Sequence, residues 1–356
     1  MDLSTLKERF SKNKSGQFVW VPLGNAHAPY KPIEGYPFLD PAYRGPFQRY
    51  SFWGNAHYYY NYKLYRPDPD NEIVYIGKKK KKTVIDELQA DFSSQNFLKI
   101  TDQDIQYVID LYDQSILLAD SEVGRIIDIL KENNIYDNTI IIIQTEHGED
   151  FNEHKYIAHY DIFDTTTHVP LIFKPLGHNS SDANKEEDAM VSGIDVLPSL
   201  VSYLKLNTQA DFTGRNDIFL NREKLAKNTE VYISRTPIWE TALGFKDNSF
   251  YDQLRYENQN GIYADFSIRN QNWKIIHRRS RLIMSKFSYW QILSGEKNDT
   301  PEYEIYDLQK DSTEQKILKN WNTETIELKN KLLSWEKYMF QQTKTGKKIY
   351  ELQEYR

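Results

Sequence analysis

The order of hydrophobic and polar positions along this chain predicts a mixed α/β protein. Between residues 102 and 133, apolar side chains recur at helical spacing, which predicts a long helix with one buried face. Thr101 is placed to cap the start of this helix, and Asn133 is placed to cap its end. The apolar positions expected in the core are Ile105, Val108, Ile109, Tyr112, Ile116, Val123, Ile127 and Leu130.

Four consecutive isoleucines, Ile140 to Ile143, follow this helix after a short connection. A continuous apolar run of this kind predicts a strand buried on both faces, as in a largely parallel sheet covered by helices. Residues 17–23 and 169–174 predict two further buried strands. Residues 195–206 predict a helix with Pro198 near its first turn.

The pattern changes from about residue 231 onward. Residues 264–269 and 273–278 alternate apolar and polar side chains around a turn at 270–272, which predicts an antiparallel hairpin. Residues 304–308 predict another strand, and residues 322–342 predict an amphipathic closing helix. We therefore expect an α/β domain over residues 1–225 and a smaller α+β domain, with an antiparallel sheet, over residues 226–356.

Composition narrows the classes of function. The chain has 356 residues and a net charge of -6, which does not favour nucleic acid as a partner. It has no cysteine, so disulfides, thiolate metal sites and cysteine nucleophiles are excluded. No apolar stretch predicts a membrane span, and the polar first residues of the given sequence predict no export signal. The compartment stays open.

Candidate chemistry lies just beyond the isoleucine run. Glu146 and His147 follow it directly, and ligands of open α/β sheets bind just beyond the carboxyl ends of strands. A carboxylate and an imidazole can both bind a metal, but the pair could equally cap the following turn. His27 lies in another turn-rich loop, at residues 24–30, where it could be a turn residue that bonds a backbone carbonyl.

An ordered series of short segments resembles one known family. The series comprises Tyr112-Asp-Gln-Ser-Ile, Glu146-His-Gly-Glu149, the segment from His159 to Thr167-His-Val-Pro-Leu-Ile172, Ile194-Asp-Val-Leu-Pro198, Gly214-Arg215, Ser267-Ile-Arg-Asn270 and Tyr306-Asp-Leu308. Together they resemble the C-terminal two-thirds of a sulfatase, within the alkaline-phosphatase-like superfamily. The resemblance covers roughly residues 17–340. It implies a partial alkaline-phosphatase-like sheet flanked by helices, followed by the smaller C-terminal domain.

The resemblance also implies a chemistry. Sulfatases hydrolyse sulfate esters of small molecules or carbohydrates with a divalent cation, usually Ca²⁺, and a formylglycine nucleophile made from a C/S-x-P-x-R segment. By position, Glu146 and His147 correspond to metal ligands. His27 corresponds to a histidine that contacts the sulfate, and His159 to a sulfate-binding group that can act as an acid.

Two departures from the family pattern affect the expected activity. The given sequence has no C/S-x-P-x-R segment, and Glu146 stands where the family has Asp. We therefore expect little or no activity from this chain alone, and dependence on a missing N-terminal segment that carries the nucleophile. Two alternatives stay open: a non-catalytic relative that binds anionic sugars or a partner protein, and a phosphatase or phosphotransferase of the same superfamily.

The remaining polar groups are expected to be structural. Glu149, Asp150 and Asp164 are predicted as turn or solvated residues, and His154 and His168 as structural histidines. The Arg278, Arg279 and Arg281 cluster is predicted as an exposed hairpin, and the lysine run 78–82 as a solvated turn. Aromatic residues within 53–62 are predicted as a covering loop, with sugar stacking as the alternative.

Overall fold

The computed structural model describes residues 3–47, 101–177, 186–220, 229–235, 265–278 and 301–344, together with Leu225 and apart from positions 29, 36, 46, 155, 156 and 160. The aromatic segment 53–62, the lysine run 78–82, Arg279 and Arg281 lie outside these residues. Along the chain, the helices and strands are α1 (Ser4–Lys12), α2 (Asp102–Glu132), β1 (Ile141–Gln144), β2 (Asp150–Phe151), β3 (Ile157–Ala158), α3 (Asp164–Thr167), β4 (Leu171–Lys174), α4 (Val196–Tyr203), β5 (Val231–Arg235), β6 (Asp265–Arg269), β7 (Trp273–His277), β8 (Tyr303–Asp307) and α5 (Thr323–Lys344).

The chain divides into two compact units, each built from several segments. The first unit comprises Met1–Thr145, Asp150–Ala158 and Pro170–Asn184. The second comprises Glu146–Glu149, His159–Val169 and Lys185–Arg356. The boundary expected near residue 225 stays a prediction. No helix within the described ranges is long and apolar enough to span a membrane.

Helix α2 organises the first unit and agrees with its sequence prediction. A capping box starts it, because the Asp104 backbone N–H donates to Thr101 Oγ1 at 3.3 Å and the Thr101 N–H donates to Asp104 Oδ2 at 2.7 Å. Asn133 is the C-cap, as expected. Of the predicted core positions, Ile116 is the exception, because 44% of it is exposed. The buried residues packed around the first half of α2 are Ala28, Tyr30, Tyr43, Phe47, Ile105, Tyr107, Val108 and Leu111.

Strand β1 differs from its prediction. It pairs antiparallel with β4, with Ile142 opposite Phe173, and the isoleucines at 141–143 are only half-buried. Among the described residues, β1 pairs with one strand, β4. It therefore lacks the second neighbour that encloses a central strand of a sheet. The side chain of Lys174 turns back to donate to the Thr139 carbonyl at 2.9 Å, and burial there lowers its pKa.

Residues 17–23 were predicted as a buried strand, and that prediction is wrong. The segment has no strand pairing, and Phe18 and Trp20 are 77% and 82% exposed. Val19, between them, packs against the cluster that contains Leu3, Ile129 and Leu130. Exposed and half-buried side chains therefore alternate along the segment, but no strand pairs with it.

The second unit contains a four-stranded antiparallel sheet in the order β5-β6-β7-β8. Asn270 forms the β6–β7 turn, because its Oδ1 accepts the backbone N–H groups of Asn272 and Trp273 at 2.9 and 2.8 Å. Helix α5 packs on β6 and β7, and its Leu328 and Leu332 join Ile268 and Ile275 in the core. The expected antiparallel sheet and closing helix are thus confirmed, and the chain has the predicted α/β class with a C-terminal α+β part.

Candidate active site

Glu146 and His147 lie on a tight loop that follows β1 in the chain. The Gly148 N–H donates to the Thr166 carbonyl at 2.8 Å, and a Cβ on Gly148 would meet the Thr165 carbonyl oxygen at 2.2 Å. Only glycine permits this close approach of two backbones. Glu146 is exposed and His147 is half-buried. The loop therefore fixes its backbone while leaving the Glu146 side chain at the surface.

The imidazole of His147 has a defined orientation. Its Nδ1 lies 2.8 Å from the Gly148 carbonyl oxygen. Because a carbonyl oxygen only accepts hydrogen bonds, Nδ1 carries the hydrogen and Nε2 carries the lone pair. An imidazole held in this way presents Nε2 as its metal-binding nitrogen.

His159 packs directly on His147. The two rings stack with their centroids 3.8 Å apart and an interplanar angle of 24°. His159 Nδ1 lies 3.2 Å from Glu149 Oε1, and the side chains of His159 and Glu149 are 22% and 4% exposed. The structure thus brings His147, His159 and Glu149 into one cluster within the second unit.

His27 belongs to the first unit. It ends the 3-10 turn Gly24–Ala26, which lies against α2, and its side chain is exposed. Its Nδ1 lies 2.5 Å from the Ala28 carbonyl oxygen, so Nδ1 carries the hydrogen in this histidine as well. Ala28 and Tyr30 are buried, and they anchor the loop in the core.

A buried ion cluster holds the segment that follows His159. Arg278 is 1% exposed and bonds Asp161 and Glu304, the latter at 2.7 Å, and it lies 3.6 Å from Asp265. Burial alone would lower the pKa of Arg278, but the three carboxylates outweigh burial and raise that pKa well above its ordinary value. The prediction that Arg278 is exposed is therefore wrong. The sequence does not show the burial, because Asp161, one of its partners, lies 117 residues away along the chain.

A second ion cluster fixes helix α3. Lys274 is fully buried, and its Nζ lies 2.8 Å from Asp164 Oδ1 and 2.8 Å from Glu314 Oε1. Arg269 Nε donates to Asp164 Oδ2 at 2.8 Å. Burial alone would raise the pKa of Asp164, but attraction to Lys274 and Arg269 outweighs it and lowers that pKa. Burial raises the pKa of Glu314. Asp164 was predicted as a solvated group and is instead part of this cluster.

The predictions for two more acidic residues have different outcomes: Asp150 is a turn residue, as expected, because its Oδ1 accepts the backbone N–H groups of Asn152 and His154, although it is buried, whereas the prediction for Glu149 is corrected. Asp150 is 1% exposed, and its Oδ2 lies 2.6 Å from His154 Nδ1, so His154 is a structural histidine as expected and Asp150 is its partner. Glu149 was predicted as a turn residue and is instead buried beside His159. His168 caps α3 through its backbone N–H, and its side chain is exposed.

Glu146 and His147 do not by themselves complete a metal site. In the part of the chain that the structure describes, no group of three or more His, Asp or Glu side chains converges to hold a metal ion. Glu146 and His147 offer one carboxylate and one imidazole, whereas Ca²⁺ takes six to eight oxygen ligands. These two residues therefore do not fit Ca²⁺ without further oxygen donors.

Comparison with known proteins places the chain in a family. The Sulfatase family model matches residues 9–206, which is more than half of the chain. The chain therefore belongs to the sulfatase family. The cluster of His147, Glu149 and His159 lies within the matched region.

Similar proteins include two curated sulfatases. The chain is 22% identical over 210 residues to an N-acetylglucosamine-6-O-sulfatase of Bacteroides thetaiotaomicron, covering 59% of this chain and 31% of that protein. It is 23% identical over 178 residues to Arylsulfatase K of Bos taurus, covering 50% and 30%. The chain thus spans about a third of the length of these relatives. Among solved structures, a phosphonate monoester hydrolase of Agrobacterium radiobacter is 22% identical, with a TM-score of 0.49 and coverage of 67% and 43%.

Proposed function

We propose that this chain recognises the sulfate group of a sulfate monoester, as part of a metal-dependent sulfatase that acts on sulfated carbohydrates or other sulfated small molecules. The stacked pair of His147 and His159, within the region of the family match, is the observation that carries the proposal. The Bacteroides relative is named an N-acetylglucosamine-6-O-sulfatase, which supports a 6-sulfated amino sugar as the first ligand to test.

In this proposal His159 binds the ester and acts as the acid. The acid form of His159 carries a hydrogen on both ring nitrogens: when the S–O bond to the sugar breaks, Nε2 gives its proton to the bridging oxygen, which leaves as the sugar hydroxyl group. Net hydrolysis adds one water to the ester and yields alcohol and hydrogen sulfate. His27 is proposed separately, by family resemblance alone, as a histidine that contacts sulfate. Its exposed side chain is accessible to an anion.

The metal and the nucleophile have separate places in the proposal. Glu146 and His147 are proposed as two ligands of a divalent cation, Ca²⁺ by family resemblance, with the other ligands supplied from outside the described residues. The given sequence has no cysteine and no serine in an S-x-P-x-R segment. We therefore assign binding of the ester and the metal to these residues, but not nucleophilic attack, and expect the chain alone to release little or no sulfate.

Isothermal titration calorimetry tests the proposal. The purified chain is titrated with N-acetylglucosamine 6-sulfate, N-acetylglucosamine 6-phosphate and plain N-acetylglucosamine, each with and without Ca²⁺. We expect binding of the sulfated sugar in Ca²⁺, weakened at least about tenfold in His159→Ala, which corresponds to ~1.4 kcal/mol. His168→Ala is the matched control, because its exposed side chain lies outside the cluster.

The other possible outcomes either favour one of the two alternative functions or overturn the proposal. Preference for the 6-phosphate would favour the phosphatase or phosphotransferase alternative. An affinity for the sulfated sugar that changes neither with Ca²⁺ nor in His159→Ala would favour the non-catalytic alternative. No binding of any ester at any Ca²⁺ concentration would overturn the proposal.

A further inference from the structure

Among the described residues, two of the pairs of a carboxylate and an imidazole lie close together in the sequence but differ in exposure. In the first unit, Asp150 and His154 are both buried, with side-chain exposures of 2% and 5%. Asp150 also accepts the backbone N–H groups of Asn152 and His154, at 3.0 and 3.4 Å. This pair closes a turn and is inaccessible to a ligand.

In the second unit, Glu149 and His159 form a pair of another kind. The Glu149 carboxylate is as buried as that of Asp150, with 4% of its side chain exposed, but the His159 ring keeps 22% of its surface exposed. A buried carboxylate needs hydrogen-bond donors, and His159 Nδ1 is one of them, 3.2 Å from Oε1. The exposed imidazole is thus anchored from inside the protein.

The His159 ring is restrained in two independent ways. Contact with the Glu149 carboxylate fixes its rotation about the Cβ–Cγ bond, and the stacked His147 ring, 3.8 Å away, covers one of its faces. An ionised carboxylate only accepts hydrogen bonds, so the hydrogen lies on Nδ1 of His159. Any exchange of a proton or hydrogen bond with a ligand then falls to Nε2.

We infer that Glu149 is a positioning residue for His159: it holds the hydrogen on Nδ1 and the ring in one orientation, so that Nε2 faces a bound sulfate ester. The inference rests on the proposed function, because it names the residue that orients the proposed acid. A carboxylate that orients the imidazole of an acid or base follows the same physical logic as the third member of a catalytic triad. For histidines that bind a metal, removing such a partner typically costs about 10–100-fold in affinity or activity, and we expect an effect of the same order here.

The first experiment determines the tautomer of His159 directly in the wild-type chain. Long-range ¹H–¹⁵N correlation spectra of ¹⁵N-histidine-labelled chain distinguish protonated from unprotonated ring nitrogens, and His159→Gln assigns the signals. We expect the neutral ring of His159 to carry its hydrogen on Nδ1 in the wild type. A wild-type His159 with its hydrogen on Nε2 would overturn the inference, whether or not any variant folds.

Variants of Glu149 then connect the tautomer to the ligand. Glu149→Ala should release the ring, so that its neutral form carries the hydrogen on Nε2 as free histidine does in water, and the lost orientation should weaken binding of N-acetylglucosamine 6-sulfate about 10–100-fold. Glu149→Gln keeps an oxygen acceptor and should rescue the tautomer and most of the affinity. Glu187→Gln, at an exposed position, is the matched control and should change neither.

The two proposals fail in different ways. An unchanged tautomer and unchanged affinity in a folded Glu149→Ala would show that Glu149 does not position His159. Absence of ester binding by the wild-type chain would overturn the proposed function, whereas the tautomer spectra decide the role of Glu149 by themselves.

Discussion

Replacing Arg278 by methionine is expected to destabilise the second unit strongly. The substitution keeps most of the side-chain volume but leaves Asp161, Glu304 and Asp265 without their shared cation. The side chains of these carboxylates are only 5%, 2% and 1% exposed, so water cannot replace the guanidinium. Breaking a buried ion pair from one side typically costs about 3–5 kcal/mol. With three acids left behind, we expect the upper part of this range.

Such a loss is a large fraction of the stability of a typical domain, which is about 5–15 kcal/mol. Urea unfolding followed by tryptophan fluorescence measures it, because Trp273, Trp321 and Trp335 all lie in the second unit. Lys310→Met is the matched control. Its ammonium pairs with Asp307 at the surface, where water screens the charge, so the urea midpoint should stay nearly unchanged.

The sign of the effect has an independent check. Adding Asp161→Asn to Arg278→Met removes one of the three carboxylate charges that shared the guanidinium, so the double variant should be more stable than Arg278→Met alone. A loss below about 1 kcal/mol in Arg278→Met would mean that the cluster behaves as a solvated surface pair. A double variant less stable than the single variant would equally refute the argument.

Three further substitutions test other parts of the structure. Asp164→Asn should weaken the loss of stability that acid causes. The pKa of Asp164 is lowered in the folded protein, so its contribution to stability is fully present above the ordinary value of 3.8 and is lost as pH falls through the lower folded value. Urea unfolding of both proteins between pH 7 and about pH 3 measures this difference. Thr101→Ala should cost about 1 kcal/mol by removing the cap of α2, whereas Thr101→Ser should keep it; equal midpoints for the two would contradict the capping box. Gly148→Ala would push a Cβ against the Thr165 carbonyl, so the amide of residue 148 should exchange with solvent at least about tenfold faster, and unchanged exchange would speak against the close approach.

The elements that sequence predicted well are those whose stability is local. Helix α2 carries its own cap at Thr101 and a continuous apolar face, and the β6–β7 hairpin carries its own turn at Asn270. Nothing beyond a few neighbouring residues is needed to recognise either element. The strand prediction for residues 17–23 failed because a short apolar segment favours an extended backbone but does not show whether another strand pairs with it.

The candidate site was predictable only in part. Glu146, His147 and His159 follow from position in a family pattern, but the contact of Glu149 with His159 spans ten residues and a change of chain direction. The burial of Arg278 depends on Asp161, 117 residues away along the chain. No periodicity encodes such contacts, because they arise when the sheet and the loop after His159 pack together within the second unit.

The most direct test of the account is to see which histidines a sulfate ester touches. In ¹³C-histidine-labelled chain, ¹H–¹³C correlation spectra resolve the ring signals of the eight histidines during titration with N-acetylglucosamine 6-sulfate in Ca²⁺. We predict saturable shifts of the His147 and His159 signals that plain N-acetylglucosamine does not cause. Saturable binding of the sulfated sugar that leaves both signals unmoved would contradict it.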